Sequence, residues 1–120
     1  MPDLLLWCDS ICSSTGFARA AKSISAALPN WQITQVGINH PSALDEHHHV
    51  KVIPAPADNV WGDVLAKRLY AEHNFDLLIV VQDRHVIAGQ ASAFEQLKAK
   101  RKLLNKAPIP ILFYYVVDGP

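Results

Sequence analysis

A polar loop, Ser10 to Gly16, separates an apolar run, Leu4-Leu5-Leu6-Trp7-Cys8-Asp9, from a helical pattern that begins near Phe17. Its residue types fit anion binding. The start of a helix carries backbone N–H groups without intrahelical acceptors and the positive end of the helix dipole, so phosphates gather there. Thr15, Gly16 and Phe17 form that start, and Gly16 lacks the side chain that would block a phosphate's approach. The same glycine also fits an ordinary strand-to-helix turn, where it relieves strain. Spacing alone does not separate the two uses. No Gly-x-Gly-x-x-Gly and no Gly-Lys-Ser/Thr occurs, which disfavours a dinucleotide fingerprint and a P-loop.

Three aspartates, Asp9, Asp83 and Asp118, follow apolar runs that read as strands, where sites of parallel sheets are built. They are the candidate cleft residues. Asp83 also fits a helix cap, and Asp118 a turn former before Gly119. The run His47-His48-His49, with His40, Asp45 and Glu46 near it, invites a metal reading. Adjacent side chains of an extended segment point in opposite directions, so three in a row do not readily share one ion. A solvated loop and no metal site are expected. Cys8 and Cys12 fit a disulfide or half a metal site, but no second cysteine pair exists, and two reduced thiols are the expected state. Lys98, Lys100, Arg101, Lys102 and Lys106 read as a solvated helix face, with membrane or nucleic-acid contact as the lesser alternative. Trp7, Trp31 and Trp61 read as packing residues rather than sugar-stacking platforms.

The elements that must position these residues alternate along the chain. Leu4 to Asp9 reads as a strand buried on both faces. Phe17, Ala20, Ala21, Ile24, Ala27 and Leu28 recur at helical spacing behind a Thr15 cap, and Pro29-Asn30 stops them. Trp31 to Ile38 and Val50 to Ile53 read as strands two and three. Asp58 or Asn59 can cap a helix containing Val60, Val64, Leu65 and Leu69. Phe75 to Val81 is a fourth strand, and a helix through Phe94, Leu97, Arg101 and Leu104 leads to a fifth, Ile111 to Val117. The alternation predicts βαβ units in an α/β, Rossmann-like parallel sheet of about five strands with flanking helices.

Four of these stretches resemble the amino-terminal half of bacterial and phage glycosyltransferases of the GT-B fold, the group 1 type. They are Asp9-Ser10 with Ser14-Thr15-Gly16-Phe17-Ala18-Arg19, then Asn59-Val60-Trp61-Gly62-Asp63, then Phe75 to Asp83, and Ile109 to Pro120 ending in Val-Asp-Gly-Pro. Phe75 stands where proline is common in that family. The resemblance spans nearly the whole chain in order. It implies a two-domain enzyme that moves a sugar from a nucleotide-sugar donor to an acceptor hydroxyl, in a cleft between two Rossmann-like halves and without a metal or other cofactor. This half would hold the acceptor, with Gly16 near the donor's phosphates. The acidic pair of the other half has no counterpart in these residues. The alternative is a stand-alone flavodoxin- or receiver-like module, although Asp9 alone does not make a receiver's acidic cluster.

The 120 residues fit one domain, half of them apolar and 18% charged, with 11 basic and 11 acidic side chains. That zero balance argues against a phosphate-tracking nucleic-acid binder, which would need a basic surface. The first apolar run is bounded by Asp3 and Asp9, too short for a signal peptide or a membrane span, so a cytoplasmic protein is expected. Because the last strand runs straight into Asp118-Gly119-Pro120, residues 1–120 are expected to be an incomplete amino-terminal domain. Alone it is expected to lack transfer activity and to associate with itself through uncovered apolar surface.

Overall fold

The computed structural model describes residues 2–13, 15–40 and 49–114. Along them run β1 (Asp3–Asp9), α1 (Gly16–Ala27), β2 (Gln32–Ile38), β3 (Val50–Pro54), α2 (Asp63–Glu72), β4 (Leu77–Val81), α3 (Arg84–Leu103) and β5 (Ile111–Tyr114). All four strand pairings are parallel, in the order β3-β2-β1-β4-β5. The fold is the expected α/β class with a Rossmann-like sheet of five strands. Its order matches the first five strands of the dinucleotide-binding arrangement and differs from the flavodoxin and receiver order, 2-1-3-4-5. No helix among the described residues is long and apolar enough to cross a membrane.

β1 is central because its side chains are apolar on both faces. Leu4, Leu6 and Cys8 pack with Ala21 of α1, whose Phe17, Ala20 and Ile24 line the same face. Leu5 and Trp7 pack on the opposite face with Ala66 and Tyr70 of α2 and Phe94 of α3. Every residue from Leu4 to Cys8 is at most 1% exposed. A continuous apolar run is what a strand covered by helices on both sides requires.

Two local expectations fail. The first concerns the start of α2, which begins at Asp63, behind Gly62 in the left-handed region at φ 71°, and leaves Val60 outside the helix. Asn59 still satisfies the helix start, but from a preceding turn. Its carbonyl accepts the Val64 N–H at 3.2 Å, and its amide donates to Asp63 at 2.9 Å.

The second concerns Arg101, expected on a solvated basic face. It is 2% exposed. Its guanidinium donates to the carbonyls of Ala107 (2.9 Å), Tyr70 (3.0 Å), Ala71 (3.3 Å) and His73 (3.0 Å), and to the Asn74 side chain (2.8 Å). Three of those carbonyls close the last turn of α2, where the helix dipole is negative, so the buried charge meets partial negative charge instead of a carboxylate. Tyr70 completes the joint by donating its hydroxyl to the Ile109 carbonyl at 2.8 Å.

A lysine carries the charge but not the fork of donors. Arg101→Lys is expected to lower unfolding free energy by about 2–3 kcal/mol, the scale of losing charge-assisted bonds at a buried site. Urea denaturation checks it. A loss below about 0.5 kcal/mol would assign the joint to packing alone.

Candidate functional site

β1 connects through α1 to β2 on one side, while β4 lies on its other side, so the direction of winding reverses between β1 and β4. In open parallel sheets the ligand crevice lies outside the carboxyl ends of the strands at that reversal. The residues there are Asp9 at the end of β1 with Ser10 after it, and Gln82 and Asp83 after β4.

The first loop is a built structure. Gln35 of β2, fully buried, clamps it from below by accepting the Ile11 N–H at 3.0 Å and donating to the Asp9 carbonyl at 2.7 Å. The Asp9 carboxylate accepts the Thr15 hydroxyl at 2.5 Å and the Asn39 amide at 3.4 Å. Thr15 in turn caps α1, accepting the Ala18 N–H at 3.2 Å. Thr15 therefore spends its hydroxyl on the fold, and Asp9, only 5% exposed, holds Thr15 in place. Among the described residues no acceptor meets the N–H groups of Gly16 and Phe17. Gly16 is exposed, its φ is not positive, and a Cβ built on it meets nothing within 4 Å. The strain-relief use of Gly16 is thereby removed.

Ser10 and His40 look like a nucleophile and its base, with Oγ 2.7 Å from Nδ1. Ser10 is fully buried, however, and its Oγ also accepts the Cys12 N–H at 3.2 Å. The pair pins the loop to the end of β2.

After β4, Asp83 caps α3 by accepting the Val86 N–H at 3.0 Å. Gln82 is 3% exposed, and its amide nitrogen has no hydrogen-bond partner among the described residues. Leaving such a donor unmet costs about 1–3 kcal/mol, a cost that an acceptor from outside would remove.

On the α2 and α3 face lies a cleft of about 310 Å³, lined by Trp7, Trp61, Asp63, His85, Val86, Gly89 and Gln90. The buried Trp7 indole donates to the Trp61 carbonyl at 2.8 Å, fixing that backbone while the Trp61 side chain stays exposed. Trp61 was expected to pack and does not. Asp63 is held below the usual carboxylate range, because hydrogen bonds from Asn59 and its own helix start, with Lys67 beside it, outweigh an opposing desolvation. The Gln90 side-chain amide oxygen is buried with no donor among the described residues.

Neither cysteine is in a disulfide. Burial, with Asp9 adding to it, pushes the Cys8 thiol up to about 12. Of the histidine run only His49 is described. Its Nε2 lies 3.0 Å from both the Ser25 carbonyl and the Ser25 hydroxyl, tying the start of β3 to α1. Asp45, Glu46, His47, His48, Asp118 and Gly119 lie outside the described residues, and among those described no cluster fit for a metal ion occurs.

Sequence reasoning left out Gln35, Gln82, Gln90 and the exposure of Trp61. Gln35 carried a signal, as a polar residue inside a strand whose neighbours Ile33 and Val36 are fully buried. The other three carried none.

The two glycines beside the crevice are expected to respond oppositely to alanine. Gly16→Ala should raise stability by about 0.4–1 kcal/mol through the unfolded chain. Gly62→Ala should lower it by about 1–3 kcal/mol, since φ is 71° and the new Cβ would lie 2.7 Å from Val36. Denaturant midpoints of both variants decide this. For Cys8, the thiol of the unfolded chain ionises at 9.0 and the folded one at about 12. Between those values the unfolded state binds fewer protons, so stability should fall as pH rises through that window. Unfolding at stepped pH, repeated in Cys8→Ala, checks the slope.

The chain matches no protein-family model, no curated protein and no solved structure.

Proposed function

We propose that the chain is the acceptor-side domain of a GT-B-type glycosyltransferase, holding an acceptor while its first loop meets the diphosphate of a nucleotide-sugar donor. The observation that carries this reading is Gly16. It opens α1 at the carboxyl end of the central strand, and nothing among the described residues requires a glycine there. What its missing side chain leaves open is space outside the chain. The resemblance of the surrounding residues to the family supports the same use.

In the reaction, the acceptor oxygen forms a bond to the anomeric carbon as the bond to the donor phosphate breaks. The nucleoside diphosphate leaves with the electron pair, and the acceptor's proton passes to a base. The N–H groups of Gly16 and Phe17, with the α1 dipole behind them, stabilise the charge that develops on the departing diphosphate. Asp9 opposes this electrostatically, because a buried carboxylate bonded to Thr15 lies next to the same helix start. Its contribution is positional, holding the cap that orients those amides. Asp83 at α3 and the Gln82 amide flank the crevice from β4.

That opposition makes a paired test. The chain titrated with uridine, guanosine and adenosine diphosphates should show amide shifts at residues 16 to 18 with at least one of them. Gly16→Val should weaken binding by about 10-fold or more with the melting point held. Asp9→Asn should tighten it, since the amide oxygen still accepts from Thr15 and the charge is gone. No shift with any diphosphate, or binding indifferent to both variants, removes Gly16 from the site.

A further inference from the structure

We infer that the cleft between the starts of α2 and α3 binds a pyranose ring, with the Trp61 indole as its stacking face. Trp61 is 60% exposed, beside Val60 at 58% and Val64 at 61%. The exposure is built in. Gly62 at φ 71° turns the chain, and the buried Trp7 indole holds the Trp61 carbonyl. The side chain of one of the largest apolar residues is thus presented to solvent by a fixed backbone, a feature that marks binding surfaces.

The cleft's other groups choose the ligand. Asp63, which stays ionised, His85 and Gln90 line the cleft with Trp61, a set suited to a ring bearing several hydroxyls on one edge and C–H groups on its face. The Gln90 side-chain oxygen at this cleft has no donor among the described residues, and a ligand hydroxyl supplies one. Gly89 adds an independent observation. A glycine inside α3 weakens the helix, yet its Cβ would meet nothing within 4 Å and its φ is not positive. The absent side chain keeps open the cleft it lines. At about 310 Å³ the space holds one or two rings and not an extended polymer, at the lower end of small-molecule sites, roughly 300–1,000 Å³. Val86, Gly89 and the buried Trp7 also line it.

Binding is read from the indole N–H resonances while the chain is titrated with methyl glucoside, galactoside, mannoside and N-acetylglucosaminide, all pyranosides. Sorbitol, acyclic with the same hydroxyls, and uridine are the controls. The expected result is a saturable shift of Trp61 with at least one pyranoside, half-complete on the order of 1 mM. The resonance of Trp31, which packs on the opposite, α1 face of the sheet, should move least. Trp61→Ala should abolish the shifts of neighbouring amides. Gly89→Leu should fill the cleft and weaken binding about 10-fold or more while the helix gains stability. No saturable shift with any pyranoside overturns the inference. So does equal response to sorbitol, a response to uridine alone, or binding that survives both variants. The site has its own probe and its own variants, so its failure is distinct from failure of the diphosphate reading at Gly16.

Discussion

A guanidinium buried without a carboxylate sets the geometry of half the molecule. Arg101 gathers carbonyls from the end of α2, the turn into β4 and the turn into β5, and each belongs to a group that would otherwise lie unmet at the bottom of the sheet. Charge and hydrogen-bond demand are satisfied by the same contacts. Because α2 and α3 are joined there at their carboxyl-terminal ends, their opposite ends are held at a fixed separation. Those opposite ends form the Trp61 cleft. An interaction remote from the crevice thus sets its width, as expected of a site built on rigid elements.

The central strand serves both flanks of the crevice. Trp7 points to the α2 and α3 side and anchors Trp61, while two residues on, Asp9 reaches Thr15 at the start of α1. Both candidate sites are therefore anchored on the one central strand. Gln35 reinforces the arrangement by holding the loop's backbone from the neighbouring strand. Polar side chains inside the sheet are costly unless fully bonded, and Gln35 meets that condition. Gln82 does not, and it lies at the crevice itself.

Much of the fold was legible because burial on two faces demands unbroken apolar runs, and Leu4 to Cys8 and Leu77 to Val81 supply them. The Thr15 cap followed from the same local logic. The start of α2 was misread because Asn59 does feed the helix amides, but from a turn that Gly62 then reverses; a cap-like residue and a cap share one sequence signature. Arg101 was hidden by composition, lying among Lys98, Lys100 and Lys102. Its spacing from Phe94 and Leu97 had already put it on the inward stripe, and the period was the better guide. Trp61 failed the other way, since its exposure depends on a hydrogen bond from a tryptophan 54 positions earlier. No local pattern encodes that.

The placement of β1 also governs the order in which the protein can be completed. Its partners are β2, reached soon after it, and β4, which begins only at Leu77. During synthesis the first βαβ unit can assemble while the chain lengthens, leaving one edge of the central strand unpaired until residues 77–81 emerge from the ribosome. A long-range parallel pairing of this kind is slow to close and is exposed to association meanwhile. The five residues from Leu4 to Cys8 are then the segment a holding chaperone would find first.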